Sequence, residues 1–485
     1  MCPPTHQPEV KRARPFLHPD RLLSVQSHVV SGYVGNRAAT FPLQLLGYDV
    51  DAINTVQFSN HTGYGHTNGH KTTPEQLTSV FSGLETNGLS RWAKVLTGYI
   101  PGASALTVVG DEVRKLRDRA RAGNPQEDVV YLLDPVMGDI GKGLYVAEDV
   151  IPIYRQLLSQ ATIITPNQFE TELLTERKID SIKSLYEALD VLHSSPHSVP
   201  HVAISSIPLP RSLVNKLGLP GPPLEYTSLL PQEGKVEQLK TWGQKLLAHD
   251  DALKQKLTDG IRDTTAQGED EPMVLACFAS TKTGDSKSLQ TFGFALPTVE
   301  GYFSGVGDLF SALVLGFYKP SVDVQPPPAG ANGRAGHPTT SISEQQPTHD
   351  YRTGDLPPFA AAVSKALLGV QQILLNTHLH TLELASVSKK RRADRQEEAE
   401  CSAAVVPEEE DCVPSDPELD SLPPTPVSKG ALPIPARTAR RMRMRELRII
   451  QEKDKILTLA DDDQVGWPAS LLNWSRLLQD EKVPE

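Results

Sequence analysis

Short apolar runs alternate with longer helical patterns from Arg21 to Pro208, and that alternation leaves few architectures open. Residues 22–26, 48–53, 94–96, 128–133, 161–164 and 201–204 read as strands. Residues 73–87, 103–122, 150–160 and 181–194 read as helices between them. Thr73-Pro74-Glu75-Gln76 opens one with an N-cap and a proline at the first helical position. Apolar strands alternating with helices of about 10–15 residues are βαβ units. They predict an α/β fold in which a mostly parallel sheet is covered by helices on both faces.

The rhythm breaks after Pro208. Pro208-Leu209-Pro210 and Leu219-Pro220-Gly221-Pro222-Pro223 read as loops, and 211–270 as a surface insertion with one polar helix at 235–261. Strands return at 273–278 and 289–296. The Pro/Gly/Ser-rich stretch 319–358 and the charged stretch 386–436 cannot bury enough apolar surface to offset their ordering entropy. An apolar helix, 359–380, lies between them. The expectation is one domain over 21–318 behind a disordered 1–20, completed by 359–385 and by a segment, 437–485, that packs on it. The length of 485 residues, enough for two or three units, is then one large domain with insertions.

A net charge of −11 argues against a nucleic-acid partner. No stretch reads as the run of about 20 apolar residues that crosses a bilayer, so no membrane role is expected. The start carries no apolar signal segment. Cys2, Cys277, Cys401 and Cys412 are scattered, which supports neither a disulfide framework nor a zinc site and fits a reducing, cytoplasmic setting. Lys389-Lys390-Arg391-Arg392 is either a nuclear address or a solvated charge block.

Gly305-Val306-Gly307-Asp308 runs directly into the apolar Leu309-Phe310-Ser311-Ala312-Leu313. Small residues there let successive N–H groups face outward at a helix start, an anion site, and Asp308 can take a proton from an attacking hydroxyl. A glycine turn with an Asp cap reads equally well from the motif alone. Asp134-Pro135-Val136-Met137-Gly138-Asp139 follows a strand, where ligands gather in an open α/β sheet and carboxylates hold Mg²⁺. A capped loop is the alternative. Thr165-Pro166-Asn167-Gln168-Phe169-Glu170 either completes such a shell or caps the next helix. Ser27-His28, Gly32-Tyr33-Val34-Gly35-Asn36 and Phe58-Ser59-Asn60-His61-Thr62-Gly63-Tyr64 suit a small polar heteroaromatic ligand. A Gly-x-x-x-x-Gly-Lys-Ser/Thr loop is absent from the sequence.

In this order, these blocks resemble the pyridoxal kinase family of the ribokinase-like superfamily. The resemblance covers about 20–208, 271–318, 357–380 and 440–457. It implies ATP-dependent phosphorylation of the 5′-hydroxymethyl group of pyridoxal, pyridoxine and pyridoxamine, with Asp308 as base and Gly305, Val306 and Gly307 as anion hole. It further implies vitamer contacts at Ser27, Val34, His61, Thr62 and Tyr99. Asp134, Asn167 and Glu170 fall in the Mg-ATP shell, and Thr165 at a monovalent-cation site that takes K⁺. Ser205 and Ser206 match a nucleotide-binding pair, while Asp139 and 140–145, including Tyr145, match a flap. Val306 stands where many members carry Thr, and Ser205 replaces a frequent Thr. The segment after Asp139 is shorter than in animal relatives. Homodimers are common in the family. Two rivals are a hydroxymethylpyrimidine kinase, which the Ser27 and His61-Thr62 blocks oppose, and a non-catalytic vitamin-binding scaffold, which intact Asp134 and Asp308 oppose.

Overall fold

Along β1 (His18–Val29), Leu22 enters one layer of the core while Leu23 and Val25 enter the other. The same switch occurs at Val95 and Leu96 on β4 (Trp92–Thr97) and around Leu132 on β5 (Val130–Leu133). Strands buried on both faces need apolar side chains at consecutive positions, hence the unbroken runs in the sequence. The computed structural model describes residues 16–124, 127–140, 142–229, 273–282, 289–299, 303–320, 356–402, 442–461, 464 and 466–480. The helix expected at 235–261, most of 319–358, the stretch 403–436, and Cys2 and Cys412 lie outside the described residues.

The remaining strands of the main sheet are β2 (Asp49–Phe58), β3 (Gly69–Lys71), β8 (Ile163–Ile164), β9 (His201–Pro210), β10 (Met273–Thr281), β11 (Gln290–Leu296) and β12 (Ser470–Leu471). Their order is β12-β11-β10-β9-β8-β5-β4-β1-β2-β3. From β9 through β2 the pairing is parallel, and it turns antiparallel at both edges. A separate ribbon joins β6 (Gly138–Asp139) to β7 (Gly143–Leu144). One face is covered by α2 (Pro74–Thr86), α3 (Ala103–Gly123), α4 (Val150–Leu157), α5 (Gln168–Thr175) and α6 (Ile182–His193), through side chains such as Leu77, Val109 and Leu189. After the short α7 (Arg211–Lys216) and α8 (Leu224–Thr227), the other face is built by α1 (Asn36–Leu45), α9 (Val306–Phe317), α10 (Pro358–Ser402) and α11 (Lys453–Ala460). Helix α12 (Trp474–Asp480) closes the described chain.

The Thr73 cap is present as a full capping box: Gln76 N–H donates to Thr73 Oγ1 at 3.3 Å and Thr73 N–H to Gln76 Oε1 at 2.9 Å. Helix α9 buries every side chain from Leu309 through Leu315, and Lys94 secures its far end. Lys94 Nζ, almost wholly buried, donates to Leu315 O, Tyr318 O and Tyr48 Oη, each at 2.7 Å. Burial pulls this ammonium down to about 7, while carbonyls at a helix C-terminus favour its charge.

Several expectations need correction. Residues 18–20 belong to β1, not to a disordered extension. Strand β9 runs on through Pro208 and Pro210, paired to Leu275 and Met273. Its other neighbour, β8, pairs only with His201 and Val202, so that side of the later part of β9 is free of β8, the setting in which strand prolines occur. The start of the 211–270 insertion packs inward: Leu217 and Leu219 are buried and Tyr226 fully so. Helix α10 continues to Ser402, because 386–402 contain Ala, Lys, Arg, Gln and Glu, which favour helix despite their charge, and no Pro or Gly. Its part 358–382 is, by length and composition, apolar enough to cross a membrane, contrary to the sequence reading; 83% of its most apolar window is buried inside the fold, as in a core helix.

Candidate active site

Parallel strands deliver their following loops to one side of the sheet, and the head of α9 lies among those loops. Gly305 caps α9 at φ 82°, a left-handed conformation that glycine adopts without strain. A Cβ at Gly305 would also overlap the Tyr33 carbonyl oxygen. The turn thus packs directly on the backbone at Tyr33 and Val34. The first bond of the helix runs from Leu309 N–H to Gly305 O at 2.9 Å, so the N–H groups of Val306, Gly307 and Asp308 precede the ladder. Val306 brings no hydroxyl but keeps its amide. Burial pushes the Asp308 carboxyl up, a push partly offset by a hydrogen bond from Gly35 N–H.

Asp134, buried at the end of β5, continues the β4 ladder by donating its N–H to Thr97 O at 2.9 Å. Its Oδ2 accepts from Ser311 Oγ at 2.9 Å, and Ser311 Oγ lies 2.8 Å from Thr165 Oγ1. Burial, together with the charges of Glu170 and Asp308, raises Asp134 well above the usual carboxylate range. Glu170, expected in the metal shell, is tied to the backbone of the neighbouring loops. Its Oε1 accepts from Met137 N–H and its Oε2 from Asn167 N–H, both at 2.9 Å. Each oxygen thus accepts a backbone amide and keeps further acceptor capacity, and burial holds the carboxyl up at about 8. Asn167 caps α5 through Glu170 N–H at 2.9 Å and donates to Gly138 O at 2.8 Å, tying the β6–β7 ribbon to the helix.

Among the described residues no group of three or more His, Cys, Asp or Glu side chains could hold a metal ion alone. Mg²⁺ does not require one, since it keeps waters and phosphate oxygens around one or two carboxylates. The fit rests on Asp134: a buried carboxylate facing other acids is relieved by a cation. Thr165, assigned to K⁺ by resemblance, has its hydroxyl engaged with Ser311. Asp139 lies on the ribbon, 3.9 Å from Lys142 Nζ, and is raised by burial. Tyr145, 48% exposed, follows β7. Ser205 and Ser206 sit inside β9, not beyond it, and Ser205 N–H donates to Pro166 O at 2.9 Å.

The β1–β2 register shifts between Gln26 and His28, a kink that re-aims Ser27. Gly35 packs against Ser27, where a Cβ would strike its carbonyl and hydroxyl oxygens. Tyr99 O accepts from Thr55 Oγ1 at 2.7 Å, and burial raises the phenol. His61 Nδ1 accepts from Gly63 N–H at 3.2 Å, so in the neutral ring the proton sits on Nε2, which has no partner among the described residues. Burial first, then the charge of Lys142, pulls this imidazole down to about 4. Thr62, exposed, begins the turn Thr62–Tyr64, and the His61 and Tyr64 rings meet edge to face at 4.8 Å.

Sequence reasoning assigned no role to Ser311 or Glu446. A lone hydroxyl in an apolar helix, one turn after Asp308, was the available signal for the first. Glu446 accepts from Tyr33 N–H and Tyr64 Oη, contacts between distant segments that no local pattern announces.

A family model described as phosphomethylpyrimidine kinase matches residues 68–207. Pyridoxal kinase of Sus scrofa is 49% identical over 195 residues, which are 39% of this chain and 59% of that protein. The enzyme of Arabidopsis thaliana is 45% identical over 217 residues, 44% of this chain and 66% of that one. The matches to the mammalian relatives span only about three fifths of their length. A structure of pyridoxal kinase from Leishmania donovani with ADP and pyridoxine is 30% identical. That similarity covers 74% of this chain and 90% of the other, with a TM-score of 0.50.

Proposed function

This chain belongs to the pyridoxal kinase family, and on that footing we propose that it transfers the γ-phosphoryl group of ATP to the 5′-hydroxymethyl group of pyridoxal, pyridoxine and pyridoxamine. The head of α9 carries the reading: Asp308 lies beside backbone N–H groups that the helix leaves unbonded. The presence of ADP and pyridoxine in the Leishmania donovani relative supports it.

A primary alcohol does not ionise near neutral pH, so its attack is helped by a carboxylate that receives the proton. Asp308 serves as that base, and its raised proton affinity brings it closer to the working pH. The amides of Val306, Gly307 and Asp308 hold the transferred phosphoryl oxygens, with the helix dipole behind them. Mg²⁺ held with ATP near Asp134 would neutralise phosphate charge. Ser27, Val34, His61, Thr62 and Tyr99 line the vitamer side, with the Nε2–H of His61 offered to an acceptor on the ring. Asn167, Ser205 and Ser206 line the nucleotide side, where Asp139 and Tyr145 form a flap. Potassium at Thr165 and a homodimer, supported by the family resemblance, complete the proposal, with a cytoplasmic location supported by the scattered cysteines and a nuclear one left open by Lys389–Arg392.

The phosphomethylpyrimidine kinase match favours one second reading, a hydroxymethylpyrimidine acceptor. ADP release measured with each alcohol separates them: the proposal expects pyridoxal to be used at least about 10-fold more efficiently. Preference for hydroxymethylpyrimidine would replace the substrate, and release with neither would remove the kinase reading.

A further inference from the structure

Glu446 reaches two loops on the vitamer side from the far end of the chain. Its Oε2 accepts from the Tyr33 N–H at 2.8 Å and its Oε1 from the Tyr64 hydroxyl at 2.6 Å. One donor belongs to the loop carrying Val34, the other to the turn carrying His61 and Thr62. Gly32, at φ 104°, makes the approach possible, since a Cβ there would overlap the Glu446 carboxylate. Met442, one turn earlier, abuts Gly63.

The segment bearing Glu446 is itself anchored. Leu447 and Ile449 are buried in the layer that holds α9 and α10. Thr381 Oγ1 on α10 donates to Met444 O at 3.0 Å, and Arg448 N–H donates to Thr377 Oγ1 at 3.1 Å. Asn376 and Arg448 both engage Glu452, the first by a 2.6 Å hydrogen bond. A carboxylate fixed from behind and bonded forward to two loops sets the distance between them. Bonds to a charged acceptor are about twice as strong as neutral ones, and a side chain with two oxygens can hold both donors at once.

We infer that Glu446 is a positioning residue that clamps the Tyr33 loop to the His61–Tyr64 turn and thereby sets vitamer affinity from the C-terminal segment. The vitamer part rests on the pyridoxal kinase reading; the clamp rests on the geometry alone. Tyr33 also touches the Gly305 turn through its carbonyl. The clamp therefore holds the vitamer wall against the anion hole through Tyr33 and Tyr64.

Two measurements on the full-length protein test this. In hydrogen exchange without ligands, Glu446→Ala should speed the Tyr33 amide and the 62–65 amides by about 10-fold or more, leaving α3 and β5 unchanged. In steady-state kinetics it should raise the pyridoxal KM by about 10-fold, with kcat and the Mg-ATP KM within about 3-fold. Tyr64→Phe should give part of that rise, and Glu446→Ala should then cost less on the Tyr64→Phe background than on the wild type. Glu446→Gln, which keeps the shape and one acceptor, should fall between wild type and Glu446→Ala and serves if Glu446→Ala does not fold. A wild-type protein that binds no vitamer would overturn the functional reading and the affinity claim with it, while exchange still decides the clamp. Unchanged exchange at Tyr33 and 62–65 or additive effects of Glu446 and Tyr64 would overturn the clamp, and a loss confined to kcat would overturn the affinity claim.

Discussion

Ser311 Oγ lies 2.9 Å from Asp134 Oδ2, joining the head of α9 to the end of β5 across 177 positions of sequence. Ser311 stands three residues after Asp308, so one turn of helix presents the proposed base and a hydrogen-bond donor to the proposed metal-side carboxylate. Thr165 extends the chain at 2.8 Å. In the proposed reaction the phosphoryl donor and acceptor sides are therefore referenced to the same helix, whose other end is held by Lys94.

Ser311→Ala should act on the nucleotide side. It removes the donor to a buried carboxylate, a bond worth about 1.5–3 kcal/mol when the acceptor is charged. The expected outcome is a rise of about 10-fold in the Mg-ATP KM with the pyridoxal KM nearly kept. Kinetics at varied Mg-ATP check it, and a rise in the pyridoxal KM alone would contradict it.

Gly305→Ala should abolish turnover without unfolding the protein. A left-handed conformation costs a non-glycine residue about 1–3 kcal/mol, and the new Cβ would also meet the Tyr33 carbonyl. Relief of that overlap displaces the amides before Asp308, so kcat should fall by at least about 10²-fold. Circular dichroism should remain that of the wild type.

Acid should destabilise the fold in a defined window. His193, buried between Val199 O at 2.6 Å and Ser280 Oγ at 2.9 Å, is pulled down to about 4, chiefly by burial. His201 is also pulled down to about 4. The unfolded chain protonates these rings near 6.5, so between about 6.5 and 4 the unfolded state binds more protons. Their contribution is complete above about pH 6.5 and declines as pH falls toward 4, by roughly 2 kcal/mol each at pH 5. Urea unfolding from pH 7 to 4.5 measures the slope, and His193→Asn should flatten it.

Monovalent cations offer a further check on the family resemblance. Rates in K⁺ should exceed those in Na⁺ or choline at equal ionic strength. Equal rates in all three salts would remove the assignment at Thr165.

The sheet was legible because burial on both faces writes itself into consecutive apolar residues, as at Leu22 and Leu23. Strands β3 and β12, three and two residues long, are too short for any period to show. Pro208 and Pro210 misled because proline argues against a strand only where its missing N–H was needed, and β8 ends before them. Site residues were legible where one motif held them together, as at 305–308. Glu170 matched a metal shell by motif, and the backbone amides that also hold its oxygens come near only in the folded loop. Ser311, Glu446 and the buried Lys94 act across segments, and sequence spacing carries no record of such pairings.

Asp308→Asn tests the central claim most directly. Asparagine keeps the size and a side-chain oxygen that can accept a hydrogen bond in the first turn of α9, but it cannot accept the alcohol proton. Single-turnover phosphorylation of pyridoxal by bound ATP should slow by about 10²–10⁴-fold, with both ligands binding at nearly wild-type affinity. Fast single-turnover chemistry, with binding or folding lost instead, would show that Asp308 has only a structural part in the first turn of α9 and would contradict the mechanism.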